Sequence, residues 1–213
     1  AGTLKAAHSA AEGSLRETDA ILATFDALLD IAEIEAGSTL KFRPVDLAEI
    51  TGQAVTLYGP VAEDAGVVLS AETAPLIVTG EPALLVRLVA NLIDNGIKFG
   101  RPGGRVQIKV KPSAAGALLV VEDDGPGIPA DRRQQVLERY VREPSHGVSG
   151  LGLGLALVAA VARRHGAELA LCEGRTGRGL RVELRCPLAD PACQDLGDGE
   201  PLSIAETPPV PRW

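Results

Sequence analysis

Two glycine-rich segments constrain this chain more than any other feature of its sequence. In LVVEDDGPGIP an apolar strand runs directly into glycines, and in SGLGLGLALV glycines run directly into an apolar helix. The first backbone N–H groups of such a helix face outward and attract an anion. The second segment alone is a weak signal. Together with the carboxylates at the start of the first, it predicts a cradle for a flat, anionic ligand.

The composition narrows the class of protein. The chain has 213 residues, 46% hydrophobic and 23% charged, which is enough to bury one core. Its 21 basic and 28 acidic residues give a net charge of -7, which argues against a nucleic-acid backbone as the main partner. It contains neither an apolar run of membrane-spanning length nor a signal segment. We therefore expect a cytoplasmic domain and, because methionine is absent, part of a longer protein.

The cysteines point to the same compartment. Cys172, Cys186 and Cys193 have neither a metal-binding spacing nor an even number that would pair fully in disulfides. We predict two core thiols and one thiol in a C-terminal tail, in a reducing environment.

The segment from Leu15 to Ala36 repeats apolar residues at seven-residue spacing. The rows consist of Leu15, Leu22 and Leu29, then Phe25 and Ala32, with Ile21, Leu28 and Ile34 widening the stripe. This pattern predicts a helix that packs in an intermolecular bundle. The alternative is an amphipathic helix packed on its own domain.

The stretch from about Leu40 to Leu188 mixes helices and strands. Predicted helices begin at a capping box of Asp46 and Glu49, at Pro82 and in LGLALVAAVARRHG. Predicted strands are Val67 to Ser70, Leu76 to Thr79, RVQIKVK, ALLVVE, ELALCE and GLRVELRCPL. We expect an α/β two-layer sandwich, with helices on one face of a mixed, largely antiparallel sheet. The domain should cover 39–189, between a helical segment at 1–38 and a disordered Pro, Gly and acid-rich tail at 190–213.

A polar stripe runs along one predicted helix. Asn91, Asn95 and Lys98 follow i, i+4, i+7 spacing, with Arg87 one turn earlier. Asparagine is a poor helix former, so two at this spacing suggest a function. An amide oxygen is a suitable ligand for Mg²⁺, and a lysine can hold phosphate. The stripe predicts a metal-triphosphate site.

The first glycine loop leaves its strand at Asp123. A carboxylate there can accept hydrogen bonds from the exocyclic amine of adenine, while Gly125 and Gly127 let the ring lie against the backbone. Asp124 should point the other way, toward solvent.

These segments resemble the boxes of a known family. NLIDNGIKFG is similar to the N box, EDDGPGIP to the G1 box and GLGLGLALV to the G2 box of the sensor histidine kinases of two-component systems. VLERY resembles a degenerate F box, in which Leu137 replaces the usual phenylalanine and Tyr140 supplies the aromatic ring. The resemblance implies the Bergerat ATP-binding fold, shared with gyrase, Hsp90 and MutL. It also implies that 1–38 retains the second helix of the dimerisation and phosphotransfer domain.

The resemblance implies a role for each matching residue. Asn95 would be the principal Mg²⁺ ligand, Asn91 would support metal and phosphates, Lys98 would contact phosphate and Asp123 would bind the adenine amine. The remaining nucleotide contacts would be Gly125, Gly127, Ile128, Tyr140, Gly150, Leu151, Gly152, Leu153 and Gly154. The implied partners are ATP or ADP, a second copy through the helical domain, and a response regulator.

The sequence departs from the family at the phospho-acceptor. None of His8, His146 and His165 has the following acid, basic residue and proline of the acceptor box, and we interpret each as an exposed or capping histidine. We therefore expect the catalytic part of a histidine kinase that transfers the γ-phosphoryl of Mg-ATP to a histidine outside this chain. The parent would be an inner-membrane or soluble sensor. The alternatives are a pseudokinase or phosphotransfer scaffold and a hydrolysing ATPase, and Arg87, where hydrolysis needs an acid, argues against the last.

Overall fold

The computed structural model describes residues 41–141 and 152–189, together with seven single residues between Thr18 and Ile34. Its helices are α1 (Leu47–Asp64), α2 (Pro82–Lys98) and α3 (Gly154–Arg164), with a short 3-10 turn at Gln135–Leu137. Its strands are β1 (Arg43–Asp46), β2 (Val68–Thr73), β3 (Ile77–Gly80), β4 (Arg105–Ser113), β5 (Gly116–Asp123), β6 (Glu168–Glu173) and β7 (Leu180–Cys186).

Five strands form one sheet in the order β2-β4-β5-β7-β6. The β2 and β4 strands are parallel, and every other neighbouring pair is antiparallel. The expected two-layer sandwich with a mixed, largely antiparallel sheet is therefore confirmed. The strand β1 was not predicted from the sequence, and it pairs antiparallel with β3 in a separate two-stranded sheet.

The core lies between the helices and one face of the large sheet. Val106, Ile108 and Val110 of β4 are buried and alternate with more exposed polar residues, as the sequence pattern predicts. The strand β5 is buried on both faces, because Leu118 and Val120 on the outer face lie opposite the long side chains of Arg185 and Glu183. The aliphatic part of Arg185 can cover apolar strand residues while its guanidinium, paired with Glu183, remains partly exposed.

Two helices start where the sequence predicts, at Asp46 and at Pro82, and each has a side-chain cap. The side chain of Asp46 accepts a hydrogen bond from Ala48 N (2.9 Å) and a second from Leu76 N (3.0 Å), so it also ties α1 to the segment before β3. At α2, the Glu81 side chain accepts from Leu84 N (2.7 Å) ahead of Pro82. The helix α2 is therefore fixed at its start, and its two asparagines come in its third and fourth turns.

The described residues of the N-terminal segment bear on both interpretations of its pattern. Ile31 and Ile34 are helical and buried in the same hydrophobic cluster as the domain core. Phe25 and Leu29 are 58% and 46% exposed. One side of this segment thus packs on its own domain, including Ile34 of the stripe predicted for an intermolecular bundle, whereas Phe25 and Leu29 of that stripe stay exposed.

The chain remains packed on the domain up to residue 189. Ala189 N donates to Ile77 O (3.0 Å), and Leu188 forms a bridge with Val78 of β3. The tail predicted for 190–213 lies outside the described residues.

Candidate nucleotide-binding site

Asn91 and Asn95 lie on α2 directly against the first residue of α3. A Cβ built on Gly154 would be 3.2 Å from Asn91 Oδ1 and 3.4 Å from Asn95 Nδ2. Asn91 Nδ2 donates to the carbonyl of Arg87 (2.9 Å), which fixes the orientation of the amide. Asn95 and Gly154, 59 residues apart in the sequence, are therefore brought together, with amide oxygens as hard donor atoms at this point.

Lys98 ends the polar stripe, and its ammonium forms an ion pair with Asp94 (2.6 Å) one turn earlier on α2. Its side chain is 49% exposed, so this i, i+4 pair contributes little to stability and can yield to an anionic ligand. Asp94 was not singled out from the sequence, although its spacing from Lys98 predicts this pair.

Tyr58 brings α1 to the same end of the site. Burial raises the pKa of the Tyr58 phenol, and the negative charge of Asp94 raises it further. A groove of about 670 Å³ opens between the helices here, lined by residues that include Tyr58, Arg87, Asn91 and Leu157. No sequence signal distinguished Tyr58 from the other apolar positions of α1.

Asp123 is held by two backbone groups at the end of β5. Its Oδ1 accepts hydrogen bonds from Gly125 N (2.9 Å) and Leu180 N (3.1 Å), and neither bond uses Oδ2. Burial raises the pKa of the Asp123 carboxyl, the two N–H donors oppose this, and the charges of Asp124 and Glu122 add to the rise. Asp124 points away, as predicted, and accepts from Arg105 N (2.9 Å).

Gly96 explains how Asp123 comes to lie beside the asparagine helix. A Cβ at Gly96 would be 2.7 Å from Val106 Cγ2 and 3.6 Å from Asp123 Cβ. A larger residue would push α2 away from the sheet, so glycine here lets the carboxylate approach the turn that carries Asn95. In the sequence, the only indication of this close approach was a glycine next to Asn95.

The first glycine loop turns tightly against the β6–β7 hairpin. Gly127 has a φ of +73°, and a Cβ there would be 2.6 Å from the carbonyl of Gly179. Glu122 holds that hairpin by accepting from Arg175 N (2.8 Å) and from Arg181 Nη1 (3.2 Å). The hairpin is a support for the site that was not recognised from the sequence.

The described part of the second loop leads into a helix start that has no side-chain cap. Gly152 has a φ of +70°, Leu153 is buried, and α3 begins at Gly154 without a side-chain cap. Uncapped N–H groups at a helix start, with the positive end of its dipole, favour an anion. Gly150 and Leu151 lie outside the described residues.

The remaining predicted contacts lie in the segment after the first loop. Ile128 is partly buried against the core. In the degenerate F box, Val136 is buried, whereas Tyr140 is 62% exposed with a φ of +64°. The nucleotide contact assigned to Tyr140 stays a prediction.

Of the two cysteines predicted as core thiols, only Cys186 lies in the core. His165 is the C-cap residue of α3, as the capping interpretation predicts, but it is buried rather than exposed. Cys186 is buried, which raises the pKa of its thiol to about 12, and Cys172 is half-buried; both are free thiols. His8, His146 and Cys193 lie outside the described residues.

The described part of the chain lacks a carboxylate, thiol and imidazole cluster for a metal ion and a membrane-spanning helix. It contains no cluster of three His, Cys, Asp or Glu side chains that could hold a metal ion. None of its helices combines the length and the apolar character needed to cross a membrane.

Comparison with known proteins gives a consistent result. Residues 80–190 match the model of the histidine kinase-, DNA gyrase B- and HSP90-like ATPase family. The swarming motility regulation sensor protein RssA of Serratia marcescens is 31% identical over 163 residues, which cover 75% of this chain and 35% of RssA. The sensor protein kinase PmrB of Pseudomonas aeruginosa is 30% identical over 178 residues, which cover 83% of this chain and 37% of PmrB. The chain thus spans little more than a third of the length of these two relatives.

Solved structures agree. The mycobacterial sensor histidine kinase MprB is 32% identical, with a TM-score of 0.63 over 70% of this chain and 98% of that one. Full-length ShkA in complex with AMPPNP is 26% identical, with a TM-score of 0.71 over 83% of this chain and 38% of that one. The chain therefore belongs to the histidine kinase-, DNA gyrase B- and HSP90-like ATPase family, and it carries the ATP-binding catalytic domain of the sensor histidine kinases.

Proposed function

We propose that this domain binds Mg-ATP and, within a complete sensor kinase, transfers the γ-phosphoryl group to a histidine supplied by another segment. The phosphoryl group then passes to an aspartate of a response regulator. The observation that carries the proposal is the arrangement at Asp123, whose Oδ1 is fixed by two backbone N–H groups beside the asparagine helix.

Asp123 would select adenine. Because both backbone bonds use Oδ1, Oδ2 can accept a proton of the exocyclic amine. Guanine carries a carbonyl at the corresponding ring position, so its oxygen would face a carboxylate oxygen and both would lack a donor. The glycines of the first loop, Gly125 and Gly127, would let the base lie close to the backbone, with Ile128 and Tyr140 contributing to its surroundings.

The amide oxygens of Asn95 and Asn91 would hold Mg²⁺ next to the start of α3. They suit the metal because they are neutral, hard oxygen donors, and the missing side chain of Gly154 leaves room beside them. The bound metal would neutralise charge on the phosphates. Lys98 would exchange its ion pair with Asp94 for a phosphate oxygen, and Gly150, Leu151, Gly152, Leu153 and Gly154 would present backbone groups to the anion.

Phosphoryl transfer through a loose transition state requires positioning and charge neutralisation rather than covalent chemistry. This part of the enzyme would therefore contribute binding and orientation. The acceptor imidazole would come from a dimerisation domain, in a homodimer formed through the helical segment. The AMPPNP complex of ShkA supports an ATP-like ligand, and we place the domain in the cytoplasm, where ATP is available.

Isothermal titration calorimetry with ATP, ADP and GTP, each with and without Mg²⁺, tests this proposal. We expect ATP and ADP to bind with Mg²⁺ dependence and GTP to bind at least about tenfold more weakly, the cost of one mispaired buried group. Equal affinity for ATP and GTP would contradict the role of Asp123.

A further inference from the structure

His165 occupies a junction between the two helices of the nucleotide site. It is 8% exposed at the C-cap of α3. Its Nε2 accepts a hydrogen bond from Glu81 N (3.0 Å), and its Nδ1 lies 2.8 Å from Val161 O. Because an N–H group points at Nε2 and a carbonyl faces Nδ1, the ring is neutral and carries its proton on Nδ1.

The space around the ring is shaped to hold it. A Cβ at Gly80 would lie 2.8 Å from His165 Cδ2 and 2.7 Å from a Leu85 methyl carbon, so only glycine leaves room for the imidazole. The Phe42 ring lies 4.9 Å from it, centroid to centroid, and the Arg164 guanidinium lies over Phe42. Three separate parts of the chain, at Phe42, at Gly80 and Glu81, and at Val161, therefore fix one histidine that no step of phosphoryl transfer uses.

The position of His165 relates it to the ligand end of both helices. Glu81 is the N-cap residue of α2, so the bond to His165 ties the C-terminal end of α3 to the N-terminal end of α2. At its other end α3 begins at Gly154, in close approach to Asn91 and Asn95. The 11 residues of α3 span about 16 Å. The helix pair thus has a close contact at each end, with apolar core packing between them, and His165 makes one of the two end contacts.

We propose that His165 is a positioning residue for nucleotide binding: through Glu81 N–H it holds α3 against α2, so that Gly154 stays beside Asn91 and Asn95. This inference rests on the proposed binding of Mg-ATP. It assigns the buried imidazole a role at a distance from the ligand, without contact to the reacting atoms.

Protonation should undo this contact. A protonated Nε2 is itself a donor, so it can no longer accept the hydrogen bond from Glu81 N. The charged groups that face the ring are the Glu81 carboxylate, which favours the proton, and the Arg164 guanidinium, which opposes it. Burial is the larger influence and lowers the pKa of His165, so the contact persists at neutral pH and is lost in acid.

Two variants separate the role of Nε2 from that of the ring as a whole. In His165→Gln the amide oxygen reaches the position of Nε2 and accepts from Glu81 N without titrating. In His165→Asn the shorter amide replaces Nδ1–H and leaves Glu81 N unpaired. We expect His165→Asn to weaken Mg-ATP binding roughly 2- to 30-fold, the range for residues that act on a site through contacts. His165→Gln should restore the affinity to within about twofold of the parent.

Calorimetry between about pH 7.5 and about pH 4.5 provides the second readout, because the pKa of His165 lies below the ordinary histidine value of about 6.5. The protonation of ATP and of Asp123 affects both proteins equally, so the parent should lose more affinity than His165→Gln over this interval. If circular dichroism shows that His165→Asn does not fold, the comparison of the parent with His165→Gln tests the role of His165 without it. Equal affinity of folded His165→Asn and the parent, or identical pH profiles of His165→Gln and the parent, would overturn the role of His165. A parent protein that binds no nucleotide would instead refute the proposed function.

Discussion

Asp123 at the end of β5 accepts a hydrogen bond from the backbone N–H of Leu180 at the start of β7, at 3.1 Å. This bond orients the carboxylate while its burial raises its pKa. Ionised Asp123 therefore costs the domain stability, because a group that binds its proton more tightly in the folded state loses that advantage as the pH rises through its folded pKa. The site keeps a charge that the fold alone does not favour.

We expect Asp123→Asn to separate binding from stability. The amide keeps an oxygen for Leu180 N and Gly125 N and carries no charge, so the ligand-free variant should unfold at the same or a higher temperature than the parent. Its affinity for Mg-ATP should fall by about 1 to 3 kcal/mol, because its NH₂ group faces the adenine amine. Scanning calorimetry and titration calorimetry measure the two effects. A strongly lowered unfolding temperature would mean that the carboxylate is mainly structural.

Asn95→Ala tests the metal site. Alanine favours the helix, so the fold should persist, while the Mg²⁺-dependent part of ATP affinity and at least about 90% of phosphotransfer should be lost. Asp94→Asn, the neighbouring position on α2, is the matched control, and it should break the ion pair with Lys98 and leave the Mg²⁺ dependence in place. If Asn95→Ala keeps the Mg²⁺ dependence of the parent, Asn95 is not a metal ligand.

Gly154→Ala tests the close approach of α3 to the asparagines. The added methyl group would lie 3.2 Å from Asn91 Oδ1, so the Asn91 amide or α3 must move by a few tenths of an ångström, and we expect nucleotide affinity to fall about tenfold with the fold intact. Gly52→Ala in α1 is the control, because nothing lies within 4 Å of its Cβ position. It should raise stability by about 0.5 to 1 kcal/mol without changing affinity. Equal nucleotide affinities for the two variants would show that the approach is unimportant.

The domain alone should not phosphorylate itself on histidine. His165 is buried, and neither His8 nor His146 has an adjacent acid to take its proton. Incubated with labelled ATP, it should instead label a separately supplied dimerisation domain that carries an acceptor box, weakly and in proportion to concentration. Acid-labile phosphate on the domain itself, absent in His8→Gln, would identify His8 as the acceptor.

The two described thiols should react very differently. The pKa of Cys186 is raised to about 12, so the nucleophilic thiolate is almost absent at neutral pH, whereas Cys172 is half-buried. In a Cys172→Ser, Cys193→Ser protein, iodoacetamide should label Cys186 only on unfolding, while the Cys186→Ser, Cys193→Ser protein should label at Cys172 in the folded state. Mass spectrometry distinguishes the two, and rapid labelling of folded Cys186 would contradict its burial.

The sequence predicted the elements whose causes are local. The cap at Asp46 and the alternation in β4 each depend on residues a few positions apart, and the structure confirms both, as it does the helix that begins at Gly154. The stripe of Asn91, Asn95 and Lys98 could be found for the same reason, since helical periodicity alone places the three side chains on one face.

What the sequence did not predict depends on contacts between distant segments. The pairing of β1 with β3 needs residues more than thirty positions apart to meet, and β1 has only four residues. The support of Asp123 by Leu180, and the buried position of His165 against Glu81, likewise arise only when separate segments pack. No local pattern distinguishes a buried capping histidine from an exposed one.

The position of β7 in the sheet has a consequence for synthesis of the chain. Although it is the last strand of the domain to leave the ribosome, it lies inside the sheet, between β5 and β6. Until it emerges, both neighbours expose unpaired backbone edges and Asp123 lacks the Leu180 donor. The nucleotide site can therefore form only after nearly the whole domain has been translated, so a nascent chain that stops before residue 180 would not retain ATP.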